Sequence, residues 1–257
     1  LAHELRNPLA PIGAAADLLR LGRIDEARVR QASEVIGRQV RHMTSLVDEL
    51  LDVSRVSGGR ISLELAVLDT KKIVADAAEQ ARPLIEARRH HIGVRMPPEP
   101  AWVSGDANRL VQVVANLLNN AAKYTREGGI IDVRVEVEAE HVLIAVSDNG
   151  IGMTPDFIGN VFEMFSQAQR TADRGQGGLG IGLALVRSLV ELHQGSVSAH
   201  SEGLGKGSEF IVRLPIVVEP EPPTVSTPAA FISSETYRIL LADDNVDFVN
   251  SIGALLS

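Results

Sequence analysis

The sequence contains no cysteine, which excludes disulfides and thiolate-held metals and fits a reducing compartment. It also lacks a surplus of positive charge, with 25 Lys and Arg against 33 Asp and Glu and a formal net charge of -8. A general binder of nucleic acid or of anionic membrane needs the opposite balance, so any phosphate this chain handles must be held locally. No apolar run approaches the roughly 18 residues of a membrane span, and no signal peptide is visible. The expectation is a cytoplasmic chain, whether or not the full-length protein is anchored to a membrane. An initiator Met is missing as well, and Leu1 falls inside an amphipathic pattern with no N-cap residue. The natural protein is therefore expected to extend upstream. What the chain has in quantity is core material: 45% of its 257 residues are hydrophobic, enough for one large or two ordinary domains.

In the opening stretch "LAHELRNPLAPI", Leu1, Leu5, Leu9, Ile12, Ala16 and Leu19 form one helical face. Pro8 and Pro11 interrupt it, because each lacks an N–H and leaves the carbonyls of Glu4 and Asn7 unpaired, at about 3 kcal/mol apiece in a helix interior. Two readings stand side by side. Either the prolines mark a helix start with Leu1 to Asn7 as a loop, or a bent helix surrounds a working histidine, His3.

From Ala27 to Ser57, Val29, Ile36, Met43 and Leu50 repeat every seven residues, with Val40, Val47 and Val53 on the same side. This is a bundle seam. The short break "LGRID" makes an antiparallel hairpin with the first helix, and "SGGR" ends the second. Two helices bury too little alone, so the expected solution is a dimeric four-helix bundle. A short strand-like stretch and a helix near Lys71 to Arg88 follow, then a helix over Arg109 to Tyr124. Ile131, Val133, Val135 and Val137, and then Val142, Ile144 and Val146, alternate with other residues and predict a β-hairpin. Ile181, Leu185, Leu189 and Leu192 predict a helix stopped by Gly195, and Phe210, Val212 and Leu214 a final strand. The fold class is α+β: a helical hairpin followed by an α/β sandwich with a mixed sheet and helices on one face. "EPEPPTVSTPAA" reads as a linker, and "YRILLADDN" opens a new buried strand.

Asp148 continues the inward parity of Val142, Ile144 and Val146, so its carboxylate is expected to line a pocket. In "DNGIGM", Gly150 and Gly152 let backbone approach a ligand closely. The same spacing also suits an ordinary turn. "GQGGLGIGLAL" leads a glycine-rich backbone into a helix N-terminus, where free N–H groups suit phosphate oxygens; no βαβ unit supports a Rossmann site. In "NLLNNAAKYT", Asn116 and Asn120 lie four apart on one helix face that Lys123 continues. An amide oxygen is a hard neutral ligand for magnesium, and a lysine can meet the same phosphates. A structural amide cluster is the competing reading. His42, His90, His91 and His193 have no spaced partners for a metal and read as surface or packing residues. Trp102 reads as core filler, and Asp106 as the cap of the Arg109 helix.

Taken in order, "HELRNP", "NLLNNAAKYT", "DNGIGM", "VFEMF" and "GGLGIGL" resemble the H, N, G1, F and G2 boxes of the sensor histidine kinases of two-component signalling, in the hybrid type with an attached receiver. The resemblance implies a dimerisation and phosphoacceptor hairpin at 1–59, a catalytic ATP-binding domain at 60–218, a linker at 219–236 and the start of a receiver at 237–257. It implies ATP and Mg2+ as cofactors, and a homodimer and a receiver domain as partners, without nucleic acid. By the same resemblance His3 is the phosphoacceptor, Glu4 the acid beside it and Asn7 a residue linked to phosphatase activity. Asn116 holds magnesium, Asn120 and Lys123 meet phosphate, Tyr124 flanks the nucleotide, Asp148 binds the adenine amino group, and Gly150 and Gly152 belong to the same nucleotide site. Phe162 and Phe165 anchor a mobile lid, roughly Ser166 to Gln176, and Gly178, Leu179, Gly180, Gly182 and Leu183 complete the site. Leu179 stands where many members have Thr. Asp243 and Asp244 are the magnesium pair of the receiver. Two alternatives remain: a nucleotide-binding pseudokinase scaffold, and an ATPase of the chaperone and topoisomerase type. The second is disfavoured because Asn116 occupies the position of the water-activating Glu.

Overall fold

Pro8 immediately precedes helix α1 (Leu9–Arg20), and its carbonyl accepts the Ile12 N–H at 3.4 Å. Pro11 lies in the first turn, where the missing N–H has no intrahelical partner to lose. Both prolines thus sit at a helix start. The structure, a computed structural model, describes residues 7–20, 25–57, 62–166 and 180–218. His3 and Glu4, the lid residues 167–176, Gly178 and Leu179, and the linker with Asp243 and Asp244 lie outside the described residues, and with them the reading of a bend around His3. The described residues all fall in one compact unit.

Helix α2 (Glu26–Ser57) is 32 residues long and starts from Asp25, whose Oδ1 accepts the Arg28 N–H at 2.8 Å. It packs on α1, burying Ala15 and Ala32. Of the predicted seam, Ile36, Met43 and Leu50 are half-buried, whereas Val29, Val40 and Val47 are exposed, as are Leu9 and Leu18 of α1. One hairpin does not cover its own apolar surface.

The rest of the described chain is a helix-on-sheet sandwich. Strand β1 (Ala66–Asp69) pairs antiparallel with β3 (Trp102–Gly105). Between them run α3 (Thr70–Ala87), capped by Asp69, and β2 (His91–Arg95). Helix α4 (Ala107–Tyr124) is capped by Asp106, whose Oδ1 accepts the Arg109 N–H at 3.2 Å, as the sequence predicts. Strands β4 (Ile130–Glu138) and β5 (His141–Asp148) form the predicted hairpin. A short helix α5 (Pro155–Asn160), helix α6 (Gly182–Leu192) and strands β6 (Ser196–His200) and β7 (Ser208–Pro215) complete the unit. The five-stranded sheet has the order β2-β4-β5-β7-β6, with β2 and β4 parallel and the other pairs antiparallel.

One sheet face, built by Ile131, Val133, Val135, Val142, Ile144, Val146, Val212 and Leu214, packs with Leu117 and Leu118 of α4 and Leu185 and Leu189 of α6 in a single buried core. The other face carries Arg134, paired with Glu136 and Glu209, around a small buried cluster of Leu143, Ala145 and Ile211. Trp102 departs from expectation. It is half-buried on the short β3 strand, where its neighbour Val103 supplies the core contact. His90 and His193 are buried packing residues: a His90 ring nitrogen bonds the Ala122 carbonyl at 2.9 Å.

Candidate functional site

Helix α4 is fixed at both ends. At its start the Asp106 N–H donates to Nε2 of His193 at 3.0 Å, while Nδ1 of that ring meets the Leu189 carbonyl at 2.7 Å. A ring that accepts at Nε2 and donates at Nδ1 is the neutral tautomer, so α4 and α6 are joined through one buried imidazole. At its end the Tyr124 carbonyl accepts the Ile151 N–H at 3.2 Å, which ties the helix to the "DNGIGM" loop. Between these anchors Arg109, Gln112, Asn116, Asn120 and Lys123 recur at intervals of three and four residues, so they share one face.

Asn116 and Asn120 are both half-buried on that face. The Nδ2 of Asn116 is buried and has no hydrogen-bond partner among the described residues. An unpaired buried amide costs about 1–3 kcal/mol, a cost that a ligand supplying an acceptor removes. Lys123 places Nζ 5.0 Å from the centroid of the Tyr124 ring, a cation over an exposed aromatic face.

Asp148 ends β5 opposite Ile131 on one side and Ser208 on the other. Its Oδ1 accepts the Gly150 N–H and its Oδ2 the Ser208 hydroxyl, both at 2.8 Å. Burial raises the Asp148 pKa above the ordinary aspartate value, and the donors from Ser208 and Gly150 together with the neighbouring Thr125 hydroxyl oppose that rise. The carboxylate is therefore a desolvated acceptor, as its inward parity predicts. Gly150 is required by space: a Cβ there would lie 2.6 Å from Asp148 Oδ1 and 2.6 Å from the Tyr124 carbonyl. Gly152 is required by conformation, with a φ of +67° and the Gly203 carbonyl pressed against it.

The sequence reading missed the loop that holds this one. In "SEGLGKGS", Ser201 to Ser208, the Ser201 hydroxyl donates to the Gly207 carbonyl at 2.6 Å and accepts the Met153 N–H at 3.0 Å. The Gly205 N–H reaches the Ile151 carbonyl at 2.7 Å. Ser201 thus pins the "DNGIGM" loop, and Ser208 orients Asp148. The available signal was three glycines in five residues between two serines.

Phe162 is half-buried and meets Phe210 edge-on, with ring centroids 6.2 Å apart. Phe165 behaves differently: the residue is 55% exposed and its φ is +65°. It holds the base of the glycine-rich segment through its backbone, donating its N–H to the Gly180 carbonyl at 3.0 Å. Gly180, at φ +69°, lies so close to Ser166 and Phe165 that a Cβ would meet their backbone at 2.7 and 2.9 Å. Ile181 is buried, and α6 then starts at Gly182 with no side-chain cap on its free N–H groups among the described residues. Gly182 and Leu183 are half-buried at that start, and Asn7 is exposed two residues before α1.

The described site therefore joins Asn116, Asn120, Lys123 and Tyr124 on one helix to Asp148, Gly150 and Gly152 at its end. The Asp148 carboxylate stands beside the C-terminal end of α4, and the neutral amides of Asn116 and Asn120 lie further back along the helix. That order suits an elongated ligand with an amino group at one end and negative charge at the other. The donor set also fits magnesium: an amide oxygen of Asn116 is a hard ligand, and its unpaired Nδ2 is then available to a phosphate oxygen.

Residues 105–218 match the family described as histidine kinase-, DNA gyrase B- and HSP90-like ATPase, and residues 1–59 match the His Kinase A phospho-acceptor domain. The chain is similar to the probable sensor histidine kinase TcrY of Mycobacterium tuberculosis, with 35% identity over 84% of this chain and 44% of TcrY. It is similar to the circadian input-output histidine kinase CikA of Thermosynechococcus vestitus, with 32% identity over 95% of this chain and 35% of CikA. Among solved structures, full-length ShkA in complex with AMPPNP superposes with a TM-score of 0.66 at 28% identity, over 86% of this chain and 46% of ShkA. The chain spans less than half the length of each of these relatives.

Proposed function

Because this chain belongs to the sensor histidine kinases, we propose that it transfers the γ-phosphoryl group of ATP to His3 and passes it on to an aspartate of a receiver domain. The single observation that carries this reading is the desolvated Asp148 carboxylate at one end of α4, with the unpaired Asn116 amide two turns back along the helix. The carboxylate accepts from the adenine amino group, and the amide end receives the phosphates.

Each residue has its part in the chemistry. Asp148, oriented by Ser208 and Gly150, selects the base. Tyr124 flanks the nucleotide, and the Lys123 ammonium balances phosphate charge. Asn116 holds magnesium and Asn120 a phosphate oxygen. Magnesium, when bound, neutralises the triphosphate. The free N–H groups at the start of α6 add donors for phosphate oxygens. A neutral His3 imidazole attacks the γ-phosphorus as the bond to the ADP oxygen breaks. Glu4 stabilises the charge that develops on the ring, and Asn7 serves a phosphatase activity.

The domain plan proposed is a phosphoacceptor hairpin over 1–59, a catalytic domain over 60–218, a linker over 219–236 and the first part of a receiver over 237–257. The 95% coverage of this chain by the CikA alignment supports a related segment beyond residue 218. The exposed Val29, Val40 and Val47 support a homodimer through the hairpin, and a receiver, attached or separate, is the phosphate acceptor. Incubation with labelled ATP and magnesium tests the reading. The label should be acid-labile and base-stable, as a phosphoramidate is, and should be absent from His3→Gln.

A further inference from the structure

The last turn of a helix ends in carbonyls that the helix itself cannot pair. In α4 the Thr125 N–H closes the ladder on the Ala121 carbonyl at 3.0 Å, and the carbonyls of Ala122, Lys123 and Tyr124 lie beyond it. Tyr124 is met by the Ile151 N–H. The other two are met by side chains from the end of α3: Nε2 of His90 lies 2.9 Å from the Ala122 carbonyl, and Nη1 of Arg88 donates to the Lys123 carbonyl at 3.2 Å. A carbonyl only accepts, so Nε2 of His90 carries the hydrogen. The Arg88 guanidinium also sets positive charge at the end of α4 where the helix dipole is negative.

The corner that supplies these groups is built to aim them. The Arg89 N–H bonds the Glu86 carbonyl at 2.9 Å and the His90 N–H bonds the Ile85 carbonyl at 3.0 Å, with Arg89 at a φ of +54°. These are the two bonds of a Schellman motif, with arginine in the left-handed place that glycine usually takes. The turn after α4 closes on the same corner: the Gly128 N–H donates to the Arg88 carbonyl at 3.0 Å, and the His91 N–H to the Gly129 carbonyl at 2.9 Å. His90 is 8% exposed, and its Nδ1 is buried with no hydrogen-bond partner among the described residues. The polar contact of that ring is thus spent on the end of α4.

Ala121 and Ala122 are buried, whereas Lys123 is half-buried and Tyr124 is exposed. Apolar burial therefore fixes α4 only as far as Ala122, and the caps fix the turn that carries Lys123 and Tyr124. We infer that His90 and Arg88 are positioning residues of the nucleotide site, holding the last turn of α4 helical from a neighbouring helix so that Lys123 and Tyr124 keep their place next to the Asp148 loop. That this turn serves a nucleotide rests on the kinase reading; the capping does not.

Three variants of the full chain test the assignment. His90→Leu removes the ring donor, His90→Gln keeps an amide N–H within the same reach, and Arg88→Met keeps the stem without the guanidinium. In the absence of nucleotide, amide hydrogen exchange over residues 121–125 should rise about fivefold or more in His90→Leu, with residues 113–118 within about twofold of the parent. In autophosphorylation by the same variant, KM for ATP should rise about fivefold or more with kcat within about twofold, because the caps bear on binding and not on the nucleophile. His90→Gln should restore both. Unchanged exchange in the last turn of His90→Leu overturns the cap. A rise spread evenly along α4, or a local rise with KM unchanged, makes His90 a residue of the fold alone and overturns the positioning role. Should His90→Leu not fold, Arg88→Met carries the same two comparisons. Local exchange that responds as expected in a chain that binds no ATP would sink the kinase reading and leave the cap standing.

Discussion

Asp148 has two demands on it that pull in opposite directions. Its folded-state pKa lies above that of an unfolded aspartate, and burial is the main cause. Between those two values the folded state binds more protons than the unfolded one, so the contribution of Asp148 to stability is full below the unfolded pKa. That contribution is lost as pH rises through the folded pKa. The proposed role in adenine recognition runs the other way, because the amino group needs an ionised acceptor. Lowering the pH through this window should weaken ATP binding while relieving the ATP-free fold. Asp148→Asn should therefore bind ATP at least about tenfold more weakly, by loss of a charge-assisted hydrogen bond of about 1.5–3 kcal/mol, with a thermal midpoint no lower than that of the parent. ATP titration calorimetry and thermal melts check both halves; unchanged affinity contradicts the adenine role. Ser208→Ala removes a donor that holds the carboxylate pKa down, so the pH midpoint of ATP binding should move to higher pH. Parity along β5 made Asp148 legible in the sequence. Ser208 was not legible, because its role depends on a partner 60 residues away in the chain.

Elements with strong periodicity were readable and short edge elements were not. The α4 and α6 helices and the β4–β5 hairpin each carry a long apolar repeat, and each lies where the sequence predicts. Strand β2 sits at the sheet edge with Ile92 and Val94 exposed, and Gly93 interrupts it, so no burial pattern betrays it. Strand β6 occupies the other edge, and β3 has only four residues. Helix α5 is six residues long and has no buried residue. Glycine-rich loops show the same limit, since spacing reveals the glycines but not what presses on them. Gly152 needs its positive φ and touches the Gly203 carbonyl, whereas Gly159 in α5 has open space around it. Gly152→Ala should lower the thermal midpoint by several degrees, equivalent to about 1–3 kcal/mol. Gly159→Ala should leave the midpoint within about a degree or raise it slightly. Equal effects at the two positions would contradict the packing described for the "DNGIGM" loop.

At the scale of the whole molecule, the unfinished surface is the hairpin. Val40 and Val47 are 49% and 44% exposed on a face that α1 does not cover, as the heptad pattern implies. Replacing both with Glu should convert a dimer into a monomer in sedimentation at tens of micromolar, on the order of common working concentrations. ATP affinity should stay within about twofold, because Asn116 and Asp148 lie on other elements. A dimer that survives both charges would contradict the bundle. In the proposed function a nucleotide held between Asp148 and Asn116 delivers its γ-phosphoryl group to His3 of that hairpin. The most direct measurement is transfer of label from γ-labelled ATP in the presence of magnesium to the full chain, its His3→Gln variant and its Asp148→Asn variant. The account predicts an acid-labile, base-stable label on the parent, none on His3→Gln and a reduced rate at limiting ATP for Asp148→Asn; full labelling of His3→Gln would contradict it.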